Sequence, residues 1–249
     1  MIYTVKTDRF KTEKYVESAN KGLTNSKLVN YKEVLKSKDC EKVVFMGFLR
    51  GGNLIYNWAE LHGIDFYYID RPYWGDSRKT PYWMRCTKNQ HVKTFVDNIT
   101  SDDRFKQTFK NKILPYHKNG KYILVVPPSH SVALMFDEQS WLENTLKTLK
   151  ENTDRELVIR EKPYNPKSYI DDIGRMIPGD RVTNPNNKEP QKPFEWDKVH
   201  AVVTFNSSIT IKALTNGVPA FANFDNPCLP ICEQDFSKIE TPVYEDPRP

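Results

Sequence analysis

Residues 202–222 have the types and spacing that could bind a phosphate, with the sequence VVTFNSSITIKALTNGVPAFA. An apolar run predicts a buried strand that ends at Asn206-Ser207-Ser208, and the apolar spacing after it predicts a helix. Free backbone N–H groups and the positive end of a helix dipole favour an anion, and serine hydroxyls add donors. We therefore predict a phosphate site without a Walker lysine. An ordinary helix cap is the alternative, because Ser and Asn are preferred capping residues.

Two cations end the strand predicted over residues 155–163, RELVIREKP. Arg160 and Lys162 carry the charge that could neutralise a diphosphate leaving group, as cationic side chains do for phosphoryl oxygens. The alternative is an edge strand whose charges are solvated. On the first interpretation, both cations bind the same phosphates as the serines.

A carboxylate and an imidazole earlier in the chain could remove a proton from an acceptor hydroxyl. Asp70 ends the predicted strand IDFYYID, residues 64–70, at a sheet edge where a general base could work. His91 is the second candidate for this proton transfer. An isolated Asp or His is more often structural, and that alternative stays open for both.

Cations and flat rings are mixed over residues 71–91, RPYWGDSRKTPYWMRCTKNQH. The mixture suits stacking on bases or sugars and contact with a phosphate backbone, with a surface loop as the alternative. The loop GFLRGG, residues 47–52, lets a ligand approach the backbone closely or makes a simple turn. The residues predicted to bind the acceptor are Gly51, Arg71, Tyr73, Trp74, Arg85 and Lys88, with Tyr82 and Trp83 as further rings.

The elements that must position these residues alternate along the chain. Strands are predicted at 42–48, 64–70, 121–131, 155–163, 199–205 and 218–223, with one near 82–86, and helices at 50–63, 140–153, 168–177 and 207–217. Ser140 and Glu143 are predicted to form a capping box, and residues 1–40 to form a solvated arm or helix pair, with a helix around 31–37. The order predicts an α/β fold with doubly wound parallel sheets. Two Rossmann-like halves, 1–118 on the acceptor side and 119–249 on the donor side, would face each other across a cleft.

The string TFNSSITIKALTNGVPAF, residues 204–221, resembles the donor-binding segment of GT-B glycosyltransferases, above all capsule-polysaccharide synthases and bacterial sialyltransferases. The resemblance implies that Ser207 and Ser208 hold the donor phosphate, with Asn206 beside them. It also implies a donor-binding loop at residues 125–131, VVPPSHS, which contains Ser129. Two positions depart from the family, since Lys162 stands in the place of a histidine and Lys212 in the place of a glutamate.

The chain is also similar to an uncharacterised phage-borne family over most of residues 43–246. The similarity is carried by YYIDRPYWG at 67–75, RCTKNQH at 85–91 and FSKIETPVY at 236–244. Members of that family commonly continue past this point, which implies a chain that is short at its C-terminus. The phage context implies location in the cytoplasm of an infected bacterium.

Composition excludes several other classes. The formal charge of +5 leaves room for a polyanionic ligand, but dedicated DNA-coating proteins are more basic. No apolar run approaches the roughly 18 residues of a membrane helix, and the N-terminus is charged too early for a signal peptide. The 4 cysteines lack CxxC spacing, which argues against a zinc ribbon and predicts reduced thiols. The chain has no D-x-D triplet, which argues against the metal-dependent GT-A scheme, and no P-loop, which argues against an ATPase. The resemblance to GT-B enzymes implies no metal and no permanently bound cofactor.

The resemblance to GT-B enzymes implies a metal-independent glycosyltransferase that moves a sugar from a UDP- or CMP-sugar to an acceptor hydroxyl. The first candidate acceptor is a hydroxymethylpyrimidine base in phage DNA, which would have to be flipped out of a duplex. A bacterial surface glycan is the alternative acceptor. A non-catalytic module that binds nucleic acid or protein on a degenerate transferase fold is the alternative of another class. The sequence does not indicate an oligomeric state.

Overall fold

Parallel strands organise the chain into a sheet of five strands and a sheet of four. The computed structural model describes residues 1–73, 84–93, 101, 103, 106–107, 113–117, 120–162, 166–180 and 194–245. The chain divides into a first unit, made of Met1–His91, His130–Asp137 and Pro166–Arg181, and a second unit, made of Val92–Ser129, Glu138–Asn165 and Val182–Pro249. The α/β class and the parallel sheets are confirmed. The boundary at 118/119 and the cleft between halves stay predictions. The two units do not divide at a single position, because two later segments of the chain belong to the first unit.

The first unit is built on a sheet with the strand order β2-β1-β3-β4-β5. Its strands are β1 (Ile2–Lys6), β2 (Ser26–Asn30), β3 (Lys42–Met46), β4 (Asp65–Asp70) and β5 (Arg85–Lys88). The first four strands are parallel, and β5 runs antiparallel to β4 with Arg85 opposite Asp70. The strand order reverses between β1 and β3, so the carboxyl ends of these strands border a crevice of the kind where open α/β sheets bind ligands.

Helices cover both faces of this sheet, namely α1 (Phe10–Gly22), α2 (Tyr31–Val34) and α3 (Gly52–His62). Side chains alternate across β3, which sends Phe45 to the face packed by Ile55 of α3. The same alternation sends Val44 to the other face, where it packs with Val16 of α1. Because both faces are covered, the central strands β3 and β4 are apolar along most of their length.

The second unit is built on a four-stranded parallel sheet with the order β11-β10-β6-β7. Its strands are β6 (Tyr122–Val126), β7 (Glu156–Ile159), β10 (Val199–Thr204) and β11 (Ala220–Ala222). All six residues of β10 are buried. Helix α6 (Ile209–Thr215) packs Ala213 and Leu214 against one face. Helix α5 (Trp141–Asn152) brings Trp141 against the ring of Phe236, which also contacts Phe221 of β11.

Two later segments complete the first unit. Helix α4 (His130–Met135) is followed by Phe136, whose ring centroid lies 5.7 Å from that of Phe48. The antiparallel hairpin β8 (Tyr169–Ile170) and β9 (Met176–Ile177) turns at Gly174, whose φ is +81°. Met176 is 1% exposed within the core of the first unit. The core of this unit therefore depends on residues far along the chain.

Most predicted elements are confirmed, with ends within a few residues. Each predicted strand from 42 onward contains a strand of the structure, and the strand expected near residues 82–86 is β5. The helices expected at 50–63, 140–153 and 207–217 are α3, α5 and α6. Gly63 and Gly217 follow α3 and α6 with φ of +63° and +72°, the left-handed conformation that ends helices. Within the described chain, no helix combines the length and apolar character needed to cross a bilayer.

The prediction for residues 1–40 is wrong. The segment forms β1, α1, β2 and α2 rather than a solvated arm or helix pair, and the helix expected around 31–37 ends at Val34. Tyr3 and Val5 of β1 are 7% and 0% exposed. The strand is short and ends at Lys6, so the surrounding lysines hide its apolar alternation.

Two further local predictions are wrong. Residues 168–177 form the β8–β9 hairpin, because the apolar spacing there fits either structure and the turn at Gly174 requires a left-handed backbone. Ser140 does precede α5, but its side chain makes no cap hydrogen bond to the helix backbone. Its backbone is already helical, with φ −85° and ψ −1°, whereas a capping side chain needs an extended residue.

Candidate functional site

The carboxyl ends of β6 and β10 form the switch point of the second sheet. These strands are adjacent, and the chain continues from β6 to β7 on one side and from β10 to β11 on the other. Their register pairs Thr204 with Val126, and that of β6 with β7 pairs Val125 with Ile159. Three strands therefore end at nearly the same level, which is where open α/β sheets bind ligands.

The predicted donor residues follow these strand ends. Ser129 comes shortly after β6, Arg160 comes directly after β7, and the segment from Asn206 to Ser208 comes shortly after β10. Parallel strands place their carboxyl ends at one edge of the sheet, with neighbours about 4.8 Å apart. The topology therefore brings these residues to one edge.

Thr204 fixes the ends of β6 and β10 together. Its buried hydroxyl donates to the carbonyl of Val126 at 2.7 Å and accepts from the backbone N–H of Ser207 at 3.4 Å. Asn226, which is 0% exposed, donates from its amide to the Ser207 carbonyl at 3.1 Å and accepts from the Thr210 hydroxyl at 2.8 Å. Hydrogen bonds from Thr204 and Asn226 thus hold the loop from Asn206 to Ser208, which we call the serine loop.

The two serines differ in whether the side chain caps α6. Ser207 Oγ accepts from the backbone N–H of Ile209 at 3.3 Å, so the capping alternative holds for this hydroxyl oxygen. Among the described residues, the Asn206 amide and the Ser208 hydroxyl make no side-chain hydrogen bond, although both are half-buried. These two groups and the Ser207 hydroxyl hydrogen remain available to a ligand.

The Arg160 side chain lies against the aromatic ring of Phe194. Its guanidinium carbon is 3.7 Å from the centroid of Phe194, and its backbone N–H donates to the carbonyl of Val125 at 2.8 Å. Burial lowers the pKa of the Arg160 guanidinium, and Tyr122 opposes that shift. The side chain stays cationic at neutral pH. Lys162 and Lys212 are exposed, whereas Arg160 is half-buried.

Asp70 and Arg85 form an ion pair at the carboxyl end of β4. Arg85 Nη2 lies 3.0 Å from Asp70 Oδ2, and the carboxylate also accepts from the backbone N–H of Arg71 at 2.7 Å and from the Tyr68 hydroxyl at 3.2 Å. Burial raises the pKa of the Asp70 carboxyl, but Arg85, the Arg71 N–H and His91 outweigh it and lower the pKa overall. Asp70 is therefore ionised, as a proton acceptor must be, but is weakly basic.

His91 belongs to the same cluster but is buried. It is 5% exposed, and its ring centroid lies 4.7 Å from that of Phe48 and 5.6 Å from that of Phe136. Its Nε2 lies 3.4 Å from Arg85 Nη2 and 4.0 Å from Asp70 Oδ2. The imidazole therefore packs within the aromatic core and supports the Asp70–Arg85 pair.

The structure brings only some of the residues predicted to bind the acceptor close to Asp70 and Arg85. Tyr73 lies under Arg85, with its ring centroid 4.8 Å from the guanidinium carbon, and Arg71 is exposed directly after β4. Gly51 lies in the loop between β3 and α3 with φ +105°. Lys88 pairs with Asp65 at the opposite end of β4, so the structure does not bring it to Asp70. Trp74, Tyr82 and Trp83 lie outside the described residues.

A shallow groove of about 860 Å³ lies elsewhere in the second unit, by the amino ends of β6 and β7. Its lining includes Arg155 and Glu240, which pair at 2.9 Å. The groove is thus at the opposite edge from the serine loop.

Sequence reasoning missed three residues around these sites. Thr204 and Asn226 position the serine loop, and Arg9 lies at the carboxyl edge of the first sheet. Thr204 could have been found as a hydroxyl at the end of an apolar strand. Arg9 follows β1, which the sequence did not reveal, so no local signal pointed to it.

Comparison with known proteins gives little further information. No protein-family model and no curated protein matches the chain. One similar solved structure is Thermosulfurimonas dismutans KpsC, a beta Kdo 2,7 transferase, with a TM-score of 0.48 and 11% identity over 96% of this chain and 88% of that chain. A likeness of this size does not indicate a function for this chain.

Proposed function

We propose that this protein is a glycosyltransferase that uses a nucleotide-sugar donor. The observation that carries the proposal is the position of Asn206, Ser207 and Ser208 shortly after β10 and of Arg160 directly after β7, so that all four backbones follow carboxyl ends of strands in the second sheet. Three neutral donor groups and one cation suit a phosphate, because the charge is balanced by Arg160 and the oxygens accept from the side chains. The residue pattern that resembles GT-B enzymes lies in this same loop.

The proposed reaction needs no redox partner. The acceptor hydroxyl oxygen bonds to the anomeric carbon of the sugar, and the bond between that carbon and the phosphate oxygen breaks. The nucleotide leaves with the electron pair, and Arg160 with the serine hydroxyls stabilises its charge. The hydroxyl proton passes to a base, for which Asp70 is the first candidate and His91 the second. Lys162 would add positive charge near the end of β7.

The proposal also concerns the identity of the acceptor. A hydroxymethylpyrimidine base in DNA and a bacterial surface glycan both offer the hydroxyl that the reaction needs. Arg71, Tyr73 and Arg85 combine cations with a ring at the end of β4, which suits either a base or a sugar. We keep the DNA base as the first acceptor to test.

Donor binding is tested by thermal unfolding with UDP-, CMP-, GDP- and TDP-sugars. A ligand at about 100 times its Kd should add roughly 2.7 kcal/mol of stability. We expect one nucleotide to stabilise the wild type and to lose its effect on the Ser207→Ala/Ser208→Ala double variant. Ser237→Ala is the matched control, since Ser237 is an exposed serine of the same unit that bonds to Asp235. No stabilisation by any donor would overturn the proposal.

A non-catalytic binding module is the second candidate function. It is favoured by the state of the two proton acceptors, because Asp70 is ion-paired with Arg85 and His91 is buried. Such a module would bind DNA with an affinity that falls steeply with salt. That binding would not change in the Ser207→Ala/Ser208→Ala variant, and a nucleotide requirement would argue against it.

A further inference from the structure

Three arginines follow the carboxyl ends of neighbouring strands in the first unit. Arg9 comes shortly after β1, Arg50 shortly after β3, and Arg71 directly after β4. The strand order reverses between β1 and β3, so these arginines border the switch point of the five-stranded sheet. The proposed donor site uses the switch point of the other sheet.

Backbone contacts hold the loops that carry these arginines side by side. The N–H of Asp8 donates to the carbonyl of Arg50 at 3.0 Å, and the N–H of Gly47 donates to the carbonyl of Ile69 at 3.1 Å. The Arg9 guanidinium lies over Gly47, because a Cβ at Gly47 would lie 3.3 Å from Arg9 Nη1. The loops after β1, β3 and β4 therefore form one surface.

The three guanidinium groups have no acceptor within the part of the chain that the structure describes. Among those residues, none of the three forms an ion pair or a side-chain hydrogen bond, and Arg9 is half-buried. Burial lowers the pKa of the Arg9 guanidinium, Asp70 raises it, and Arg71 and Arg50 lower it further. Among the described residues, the edge therefore carries three positive charges without an ion-pair partner, and Arg71 and Arg50 are near enough to act on Arg9.

The nearby carboxylates are already occupied by other arginines. Asp8 pairs with Arg175 and accepts from the Tyr31 hydroxyl, and Asp70 pairs with Arg85. A half-buried cation without a partner costs free energy, and a bound anion would remove that cost. The two longer helices of this edge, α1 and α3, also begin here without a side-chain cap, which adds partial positive charge.

We propose that this edge of the first unit binds an oxyanion, either a phosphate or a carboxylate, with Arg9 at its centre and Arg50 and Arg71 beside it. A guanidinium matches both anions through paired N–H donors. Within the proposed transfer reaction, this makes the acceptor an anionic molecule, and that assignment rests on the proposed function. The binding of the oxyanion does not.

The direct test is protection of arginines from phenylglyoxal on the full chain, read by peptide mass spectrometry. The probes are inorganic phosphate, a short oligothymidylate and galacturonate, which separate a phosphate monoester, a phosphodiester and a carboxylate. We expect one probe to slow the modification of Arg9 severalfold, while the ion-paired Arg175 reacts slowly with or without it. Failure of all three probes to protect Arg9 would overturn the proposal.

Variants separate this site from the donor site. Arg9→Gln should weaken the affinity of the protecting probe by roughly tenfold, and Arg9→Lys by less, because lysine keeps the charge without the paired donors. Lys38→Gln, an exposed cation before β3, should change nothing. The Ser207→Ala/Ser208→Ala protein should keep protection of Arg9 even if the proposed donor function fails. If Arg9→Gln does not fold, protection of the wild type decides the question.

Discussion

Asp70 and Arg85 form an ion pair that is largely shielded from solvent. The Arg85 side chain is 11% exposed and that of Asp70 is 32% exposed, so the pair is shielded without being fully desolvated. Arg85 also donates to the carbonyl of His91 at 2.9 Å and lies over Tyr73. Removing the carboxylate would leave a nearly buried cation without its counter-ion.

We therefore expect Asp70→Asn to lower the free energy of unfolding by about 2 kcal/mol at pH 7. The folded-state pKa of Asp70 is depressed, so its contribution is fully present above about pH 4 and is lost as the pH falls through the folded-state pKa. Urea denaturation at neutral and acidic pH should show a weaker pH dependence in the variant. Asp65→Asn is the control, because Asp65 pairs with the exposed Lys88 and should matter less. Equal losses in the two variants would contradict this account.

Thr204 is the residue on which the geometry of the serine loop depends. Thr204→Val keeps the shape of the side chain but removes the hydroxyl that bonds Val126 and Ser207, at a cost of about 1 kcal/mol. We expect the variant to fold and to bind its nucleotide less tightly, as measured by thermal unfolding with the donor that stabilises the wild type. Thr204→Ser should restore the binding. Identical binding by the two variants would show that the hydroxyl does not position the loop.

Residue types in a clear local pattern could be found from the sequence. Ser207 and Ser208 follow an apolar strand, and Asp70 ends another, so the local pattern is enough to place each of them at a strand end. Arg9 and Arg85 could not be interpreted in this way, because what matters about them is the partner. Arg85 meets Asp70 across an antiparallel register, and Arg9 meets no carboxylate within the described chain because those near it are occupied.

At the scale of elements, the loop between β3 and α3 leaves no room for a side chain at Gly52. A Cβ at Gly52 would lie 1.9 Å from the carbonyl oxygen of Gly47, so the start of α3 has room for glycine and for no larger residue. Asn53 at the same helix start is 4% exposed. Its amide donates to the carbonyl of Gly174 at 2.8 Å and accepts from the N–H of Met176 at 2.9 Å. The loop and the β8–β9 hairpin therefore hold each other.

Gly52→Ala should destabilise the protein by about 1–3 kcal/mol, because the loop has to move to relieve the clash. Gly22→Ala is the matched control, since a Cβ there meets nothing within 4 Å. At the end of a helix that substitution should change stability by less than about 1 kcal/mol. The urea midpoints of the two variants provide the comparison. A Gly52→Ala protein as stable as Gly22→Ala would mean that the loop can relax without cost.

Elements with a strong period were predictable, and short elements were not. The strands after residue 42 are continuous apolar runs between glycines or polar loops, which is typical of buried parallel strands. The β8–β9 hairpin has two residues in each strand, and its packing on Asn53 depends on a residue far away in sequence. Local spacing cannot distinguish such a hairpin from a helical turn. The same holds for β1, whose parallel neighbours β2 and β3 supply its hydrogen bonds.

At the scale of the whole molecule, three separate segments of the chain form the first unit. Residues 1–118 would contain the five-stranded sheet without Met176, which belongs to its core, and without Phe136, which packs against that core. We expect that fragment to lack a cooperative thermal transition and to bind a hydrophobic dye, as loosely packed states do. A fragment of residues 1–181 contains every segment of the unit and should unfold more sharply, as followed by near-ultraviolet circular dichroism. Equal cooperativity in both fragments would contradict this expectation.

Because late segments of the chain belong to the first unit, the core of that unit can be completed only late in biosynthesis. The sheet of the first unit is complete when Lys88 has left the ribosome, yet Met176 and the anchor for Asn53 have still to be made. At about 5–20 residues per second, the delay is on the order of ten seconds. During that interval the aromatic face around Phe48 lies open while the strands of the second unit are emerging. Transiently exposed apolar surface promotes aggregation, so we expect the folding yield to depend on how long that interval lasts.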